Sequence, residues 1–256
     1  MTIEDQLSAL AVAAPTEVGD RALVGVGLAD EYITRSSPLG PIYVAYNGLG
    51  VSSVSIERSP GEFEDYFRRR IGRPLRPGRR LPEPVERHLD TAIEQGTPGR
   101  LPVDLRSVSD FQRRVLTETA TIPRGEVRPY GWIAQRIGTP AAVRAVGTAL
   151  ATNPIPLIIP CHRVVRTDGT FGRYSLGTDD NKPRLLAAEG LDVTEHQRLA
   201  SRGVRYLGSD STRIFCHPTC HAARRITAQH RVEFRVERSA ADAGYRPCRV
   251  CRPKSS

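Results

Sequence analysis

The chain has 256 residues, of which 39% are hydrophobic, enough for two or three domains with buried cores. No apolar run reaches the length of a membrane-spanning helix, and the N-terminus carries Glu4 and Asp5 where a signal peptide has positive charge. We therefore expect a protein of the cytoplasm, associated with the nucleoid if it is bacterial, with no membrane partner.

The positive charge is concentrated in the last fifth of the chain. The whole chain has 37 Lys and Arg residues against 28 Asp and Glu, and the segment 204–256 alone has 11 against 4. A basic segment on a nearly neutral body is typical of a protein that binds a polyanion, and nucleic acid is the first candidate. An anionic membrane is the weaker alternative.

The first third of the chain predicts a small α/β unit over 31–106, preceded by an N-terminal extension over 1–30 that is partly unordered. Turn-forming residues at Ser37–Gly40 and at Asn47-Gly48 separate β-like runs. The predicted elements are three strands within 31–57, a helix at about 61–71, a loop over 73–80 and a helix over 84–95.

The pattern becomes helical from Ser109 onwards. Ser109 is a candidate N-cap for a helix in which Phe111, Val115 and Leu116 share one face. The other predicted helices span 130–137, 141–152 and 182–189. The first two of these flank a turn at Gly138, and two short helices joined by a tight turn are typical of a DNA-binding helix-turn-helix.

The second helix of this pair consists almost entirely of small residues around one arginine, Arg144. Small side chains suit a helix that is tightly packed in a core, and composition alone favours this interpretation. They also suit a helix that lies close to the floor of a DNA groove, with Arg144 as its one long side chain. An arginine there can fill the space left by a base that is turned out of the duplex.

One cysteine, Cys161, stands apart from the other four, next to His162 at the end of an apolar run. A buried free cysteine is often only a small hydrophobic residue. A nearby histidine can instead lower the pKa of a thiol and make it a nucleophile. Adjacent side chains do not face each other, so a water between the two fits better than direct contact, with His162 oriented by a carboxylate such as Glu189.

The other four cysteines form two close pairs in the basic segment. The pairs are Cys216 with Cys220 and Cys248 with Cys251. This spacing is typical of a zinc site with four sulfur ligands, and the odd total of five cysteines argues against a disulfide framework. His217 and His221 are alternative ligands. We expect one zinc ion with a closed coordination sphere, which therefore does not activate water.

From Phe111 to Gly190 the chain resembles the O6-alkylguanine-DNA alkyltransferases, also called methylated-DNA–protein-cysteine methyltransferases. The motifs that carry the resemblance are FQRRVL, IPRGEV, AVRAVG, NPIPLIIPCHRVV, GRYSLG and LLAAEG, in the family's order and spacing. A weaker likeness, through SSPLGPIYVA, covers 31–106. The resemblance implies an α+β fold, with a ribonuclease-H-like domain over 31–106 and a helical, winged-helix-like, DNA-binding domain over 107–192.

The resemblance also implies a role for each site residue. Cys161 is the alkyl acceptor, His162 activates it through a water, and Glu189 orients the histidine. Arg144 takes the place of the extruded guanine. Asn153 orders the turn before the cysteine, and Tyr130 presses on a DNA phosphate and protonates the departing base. The resemblance also implies a place at the DNA surface for Ala142 and Gly147. The wall of the substrate pocket is formed by Tyr174, Ser175 and Val164.

These roles predict a DNA repair protein that acts once per molecule on double-stranded DNA carrying alkylated bases. The base is turned out of the duplex, and Cys161 takes the alkyl group from O6 of guanine, or from O4 of thymine, without a small-molecule cofactor. Two alternatives stay open: a zinc-dependent DNA-binding damage sensor without transfer, and a cysteine hydrolase. One departure from the family pattern is Arg128-Pro129 before Tyr130, where a small polar residue is more common.

The segment 204–253 resembles the metal-binding domain of the Ada adaptive-response protein, through TRIFCHPTCHAARR and GYRPCRVCRP. The resemblance implies a small zinc domain in which Cys216 is both a ligand and a second methyl acceptor, from methyl phosphotriesters in DNA. His217 stands where an arginine is usual, and the domain comes last here but first in Ada.

Residues 193–203 are polar and are predicted to be a linker. Chelation is expected to unfold the zinc domain and spare the alkyltransferase domain.

Overall fold

The computed structural model describes residues 16–253, in which three structural units follow one another along the chain. The N-terminal unit contains one four-stranded sheet with helices around it. Its elements are α1 (Thr16–Gly25), β1 (Asp30–Ser37), β2 (Gly40–Asn47), β3 (Gly50–Ser55), α2 (Pro60–Arg70), β4 (Leu75–Pro77) and α3 (Glu83–Gln95). The strand order is β3-β2-β1-β4, with antiparallel pairing among β1, β2 and β3 and parallel pairing of β4 with β1.

Residues 16–25 of the predicted N-terminal extension form α1, and residues 1–15 lie outside the described part, so partial disorder within 1–30 stays a prediction. The structure corrects one prediction in this unit. The segment 73–80, predicted to be a loop, contains strand β4. Arg73 donates to Asp30 at the start of β1 with an N–O distance of 2.6 Å, which brings the proline-containing segment to the edge of the sheet.

The middle unit is mainly helical and shares one large apolar core with the N-terminal unit. Its first helix, α4 (Asp110–Thr119), begins after Ser109, whose side chain accepts a hydrogen bond from the Gln112 N–H, as predicted for an N-cap. The elements that follow are β5 (Arg128–Pro129), α5 (Tyr130–Arg136), a 3-10 turn (Pro140–Ala142), α6 (Val143–Ala151), a 3-10 turn (Cys161–Arg163), β6 (Val164–Val165) and α7 (Asn181–Ala188). The predicted pair of short helices is confirmed as α5 and α6. Strand β5 pairs in parallel with β6, so the segment that leads into α5 is joined to the strand that follows the turn of Cys161.

A helix, α8 (Val193–Ser201), occupies the segment that the sequence predicts to be a linker. Asp192 caps this helix by accepting a hydrogen bond from the Glu195 N–H. His196 and Leu199 are buried, and their spacing of three residues puts both on one face of the helix. The segment is therefore a packed helix and not an unstructured linker. Two buried side chains among polar residues are too few to make an apolar pattern visible in the sequence.

The C-terminal unit is a small sheet that carries the four clustered cysteines. Its elements are β7 (Tyr206–Ser209), β8 (Ile214–Cys216), two 3-10 turns (Ala223–Arg225 and Ala228–His230), β9 (Arg231–Phe234), α9 (Glu237–Asp242) and β10 (Arg246–Pro247). The strand order is β10-β8-β7-β9. The cysteines form one small core with Leu199, Val204 and Leu207, so α8 belongs to this core as well.

The described residues form a mixed α+β protein, as the sequence predicts. Within residues 16–253, every helix is too short or too polar to cross a membrane.

Candidate active site and metal centre

Cys161 lies on a short turn between a buried apolar segment and strand β6. Asn153 bridges the segment before it. Its Nδ2 donates to the Ile159 carbonyl at 2.9 Å, and its Oδ1 accepts from the Ile155 N–H at 3.0 Å. These bonds enclose Leu157, whose φ of 71° is unfavourable for a residue other than glycine. Asn153 therefore stabilises the backbone conformation that leads into the cysteine turn.

The thiol of Cys161 is buried, and burial raises its pKa. Asn153, the ammonium group of Lys182 and the hydroxyl of Tyr174 act in the opposite direction, because each stabilises the thiolate. The Tyr174 hydroxyl has no hydrogen bond of normal geometry to any described residue, so its proton is free to point at the sulfur. The thiol is therefore protonated at neutral pH and needs a base before it can react.

Glu189 connects His162 to a buried arginine. Its Oε1 lies 2.8 Å from His162 Nε2, and Arg163 donates to both carboxylate oxygens, at 2.6 and 2.8 Å. Burial alone would raise the pKa of Glu189, but the hydrogen bonds from His162 and Arg163 outweigh it and lower the pKa to about 2. An ionised carboxylate only accepts hydrogen bonds, so the Nε2 of His162 carries the hydrogen.

His162 is oriented as a base. Burial lowers the pKa of its imidazole, so the ring is neutral at pH 7. With the hydrogen on Nε2, the basic atom is Nδ1, which is buried and has no hydrogen-bond partner among the described residues. The ring of Tyr174 stands at 84° to the imidazole, with the two centroids 6.4 Å apart. Nδ1 of His162 can therefore accept a proton from a donor close to Cys161.

Three further predicted site residues lie in different surroundings. Tyr130 begins α5, and its pKa is raised by burial and by the negative charge of a Cys161 thiolate. Ser175 is exposed. Val164 is fully buried in the main core, and its carbonyl accepts a hydrogen bond from Lys182 Nζ at 2.6 Å.

Two buried cations near Cys161 escape prediction from the sequence. Arg163 also donates to the carbonyls of Ile122 and Gln95, both at 2.7 Å, and so connects the site to the end of α3. Burial lowers the pKa of Lys182 to about 8, and its charge acts on Cys161. The sequence hints at a role for Arg163 only because it is a charged residue directly after the Cys-His pair, within an otherwise apolar run. Lys182 lies in a polar stretch that gives no such signal.

Helix α6 has one buried face and one exposed face. The buried face consists of Val146, Ala149 and Leu150. Arg144 is exposed, and Ala142 and Gly147 are partly exposed. The core interpretation is therefore confirmed for one face of the helix, while the other face presents small side chains and Arg144 to solvent, and its contact with a DNA groove stays a prediction.

The four cysteines of the C-terminal unit form a site suited to one metal ion. Cys216, Cys220, Cys248 and Cys251 are buried, and their sulfur atoms all lie within 4.8 Å of one another. A tetrahedral zinc site with metal–sulfur bonds of about 2.3 Å has sulfur–sulfur distances of roughly 3.8 Å, so the four sulfurs fit zinc. Among the described residues, His221 forms a second group of metal-binding atoms with Glu126 and Cys220, and His217 belongs to neither group.

Comparison with known proteins identifies the middle and C-terminal units. Residues 110–191 match the family model described as 6-O-methylguanine DNA methyltransferase, DNA binding domain, and residues 193–254 match the metal binding domain of Ada. A methylated-DNA–protein-cysteine methyltransferase from Mycobacterium bovis is 35% identical over 163 residues, which cover 60% of this chain and 88% of that protein. This chain belongs to the methylated-DNA–protein-cysteine methyltransferase family.

Other methylated-DNA–protein-cysteine methyltransferases match over a shorter part. The protein from Mycolicibacterium paratuberculosis is 52% identical over 87 residues, which cover 34% of this chain and 52% of that protein. The match covers 46% of the protein from Rattus norvegicus, so the chain spans about half the length of these two relatives. The crystal structure of Mycobacterium tuberculosis OGT in complex with DNA is similar with a TM-score of 0.50 at 34% identity, covering 65% of this chain and 99% of that chain.

We expect the substitution Glu189→Gln to destabilise the protein near neutral pH and much less in acid. The pKa of Glu189 falls from its ordinary value of 4.5 to about 2 in the folded protein. The stabilisation by the ionised carboxylate is therefore complete above about pH 4.5 and is lost as the pH falls towards 2. At pH 7 the variant leaves the buried Arg163 without its counter-charge, which costs about 3 kcal/mol of unfolding free energy.

Urea denaturation of both proteins, at neutral pH and at a pH inside that acid window, measures this difference. Glu94→Gln is the control, because it removes a carboxylate from an exposed position. A difference between wild type and Glu189→Gln that is equally large at both pH values would contradict the ionised, hydrogen-bonded state of Glu189.

Proposed function

We propose that this protein is a DNA repair alkyltransferase that moves one methyl or larger alkyl group from O6 of guanine, or O4 of thymine, in double-stranded DNA to Cys161. The observation that supports it most is a buried thiol close to a neutral histidine whose Nδ1 is free and whose Nε2 is held by ionised Glu189. A damage sensor that only binds DNA needs neither a nucleophile nor a base, so this cluster favours transfer.

The reaction begins with the removal of the thiol proton of Cys161. The proton passes through an intervening water to Nδ1 of His162, and Glu189 balances the positive charge that develops on the imidazole. The charge of Lys182 stabilises the thiolate. The sulfur attacks the alkyl carbon, a carbon–sulfur bond forms, the carbon–oxygen bond breaks, and its electron pair stays with the base. The base takes up one proton, which Tyr130 delivers, and the stable thioether ends the activity of that molecule.

The target base has to leave the stack to reach a buried thiol. In this proposal α6 lies against a DNA groove, where Arg144 fills the space of the extruded base and Ala142 and Gly147 allow close approach. Tyr130 presses on the adjacent phosphate. The exposed arginine on an otherwise small-residue surface supports this placement.

We also propose the finer fold assignments and the domain limits. The ribonuclease-H-like fold over 31–106 is supported by the strand order β3-β2-β1-β4 with β4 parallel to β1. The winged-helix-like fold over 107–192 is supported by the pair α5 and α6 beside the two-stranded sheet of β5 and β6. The zinc domain covers 204–253, and α8 packs against its core. The pocket wall for the flipped base consists of Tyr174, Ser175 and Val164.

We expect Cys161→Ser to abolish transfer and to leave DNA binding nearly unchanged. A serine hydroxyl has a far higher pKa than a thiol and is a poorer nucleophile beside the same base. Both proteins are incubated with duplex DNA that carries labelled O6-methylguanine, digested, and searched for methylated peptides by mass spectrometry. Binding of the same duplex serves as the control for folding. Near-normal transfer by the variant would refute the assignment of Cys161.

We expect Arg144→Ala to slow transfer from duplex DNA by roughly tenfold or more, because extrusion of a base costs a few kcal/mol that the arginine offsets. Transfer from a free O6-alkylguanine base should be nearly unchanged, since no base has to be extruded. Single-turnover rates on the two substrates measure the effect. Arg69→Ala, which removes the same charge from an exposed position in α2, is the matched control. Equal losses on both substrates would place Arg144 in the reaction pocket instead.

The cleft beside the metal centre supports a second proposed transfer, from methyl phosphotriesters in DNA to Cys216. Cys216 and Cys248 line a cleft of about 540 Å³ together with the exposed arginines Arg225, Arg246 and Arg249. A bound zinc keeps its sulfur ligands deprotonated. A phosphotriester has no negative charge to be repelled by the thiolates, and the arginines can bind its ordinary phosphate neighbours. The sulfur of Cys216 bonds to the methyl carbon, the carbon–oxygen bond breaks, and a phosphodiester anion leaves.

We expect one methyl group on Cys216 after incubation of the zinc-loaded chain with DNA that contains methyl phosphotriesters. The Cys161→Ser background removes the first acceptor, and unmethylated DNA of the same sequence is the control. Peptide mass spectrometry locates the added mass, and zinc content is measured in the same sample. A chain that holds zinc but gains no methyl on Cys216 would show that the zinc domain only anchors the protein to DNA.

A further inference from the structure

The zinc-binding unit (residues 204–253) is packed against the segment 125–132 of the middle unit (residues 107–192), here called the alkyltransferase unit. The hydrogen bonds between them run from Arg224 to the Gly125 carbonyl, from the His221 N–H to Glu126 Oε1 at 2.9 Å, from the Val127 N–H to Thr219 Oγ1 at 2.9 Å, and from Trp132 Nε1 to the Cys251 carbonyl at 2.9 Å. Glu126, Val127 and Trp132 are buried. Buried, hydrogen-bonded contacts of this kind are unlike the open arrangement of two domains on a flexible linker.

Three of these four bonds come from residues of the metal site or directly beside it. Thr219 and His221 flank Cys220, and Cys251 is itself one of the four cysteines of the site. In so small a unit, the positions of these residues depend on the four sulfurs being gathered around one ion. We therefore expect loss of the metal to loosen the bonds to the segment 125–132 as well.

At one end of the contact, hydrogen bonds connect the zinc-binding unit to His162, the general base of the proposed reaction. Arg224 donates to the carbonyl of Gly125, and the N–H of Gly125 donates to Glu189 Oε2 at 3.2 Å. Glu189 in turn holds His162. Gly125 has a φ of 70°, and a Cβ atom at this position would lie 2.8 Å from the Glu189 carbonyl oxygen, so only glycine fits here. The zinc-binding unit thus contacts the residue that positions the Glu189–His162 pair.

The other end of the contact leads to Tyr130 and to the cysteine turn. Strand β5 directly precedes Tyr130 and pairs with β6, which directly follows the turn of Cys161. Arg128 in β5 is buried, forms an ion pair with Glu126, and has its guanidinium carbon 5.7 Å from the centre of the Trp132 ring. Because a buried charge is costly without its partner, a shift of Glu126 would displace Arg128 and the strand with it.

We propose that the zinc-binding unit is a positioning element for alkyl transfer to Cys161, acting through Thr219 and Arg224. The inference rests on the proposed transfer to Cys161. The metal orders the unit, the unit holds the segment 125–132, and that segment orients Glu189 and Tyr130. Under this proposal chelation reaches the alkyltransferase site, whereas the sequence-based expectation is that this unit is spared.

Trp132 is the only tryptophan of the chain, so its fluorescence reports directly on the contact. In the full zinc-loaded chain, removal of zinc by a chelator should shift the emission to longer wavelength as the indole becomes exposed. Thr219→Val should cause a shift in the same direction while zinc remains bound, because it removes a bond of the contact and no metal ligand. Thr212→Val, which replaces an exposed threonine in the same unit, is the matched control and should leave the emission unchanged.

The rate of transfer separates positioning from simple attachment to DNA. A free O6-alkylguanine base needs no DNA contact, so its single-turnover rate depends on the site alone. Thr219→Val and Arg224→Met should lower this rate by roughly tenfold to a hundredfold, the usual effect of a small misplacement of reacting groups. Arg238→Met removes the same charge from an exposed position in α9 of the same unit and should leave the free-base rate unchanged.

Two results would overturn the inference. One is an unchanged Trp132 emission when zinc is removed, which would show that the contact does not depend on metal. The other is an unchanged free-base rate in both Thr219→Val and Arg224→Met, which would leave the unit as a DNA anchor. Absence of any transfer to Cys161 by the zinc-loaded wild type would instead refute the proposed function, while the emission would still show whether the unit is docked.

Discussion

The ionised carboxylate of Glu189 is the group on which the geometry of the active site depends. A buried charge needs several hydrogen-bond donors, and Glu189 takes them from His162, Arg163 and the N–H of Gly125. These donors come from the cysteine turn and from the turn before β5, and Arg163 extends the network to the carbonyl of Gln95. One carboxylate therefore determines which nitrogen of His162 is basic and also ties together three parts of the chain.

The surroundings of Cys161 make its thiol unreactive until a base acts on it. Burial raises the pKa of the thiol, while Asn153, Lys182 and Tyr174 stabilise the thiolate once it forms. In the proposed transfer Cys161 reacts only once, and this balance suits such a residue because a permanently ionised thiol would be open to oxidation and to other alkylating compounds. In the proposed reaction, the imidazole of His162 and the charge of Lys182 supply reactivity once a substrate is held in the pocket.

The contact between the alkyltransferase unit and the zinc-binding unit gives a physical reason for Arg128 before Tyr130, near a position where a small polar residue is more common. Arg128 fits there because Glu126 neutralises it and the Trp132 ring packs beside its guanidinium group. The zinc-binding unit covers this cluster through Cys251 and His221, on a side of α5 that leaves Arg144 exposed. A basic unit is thus attached without blocking the small-residue face of α6.

The sequence by itself determined the features that depend on neighbouring residues: the Cys161–His162 pair, the two cysteine pairs, the helix pair α5 and α6, and the N-cap at Ser109. Short spacings and local apolar patterns specify such features directly. Only the tertiary structure decided the parts that depend on distant contacts, such as the bond of Arg163 to Gln95, 68 residues away, and that of Trp132 to Cys251, 119 residues away. Strand β4, the packing of α8 and the place of Lys182 belong to the same group. A single polar side chain looks alike in sequence whether it faces water or a buried partner, so these contacts cannot be read from local pattern.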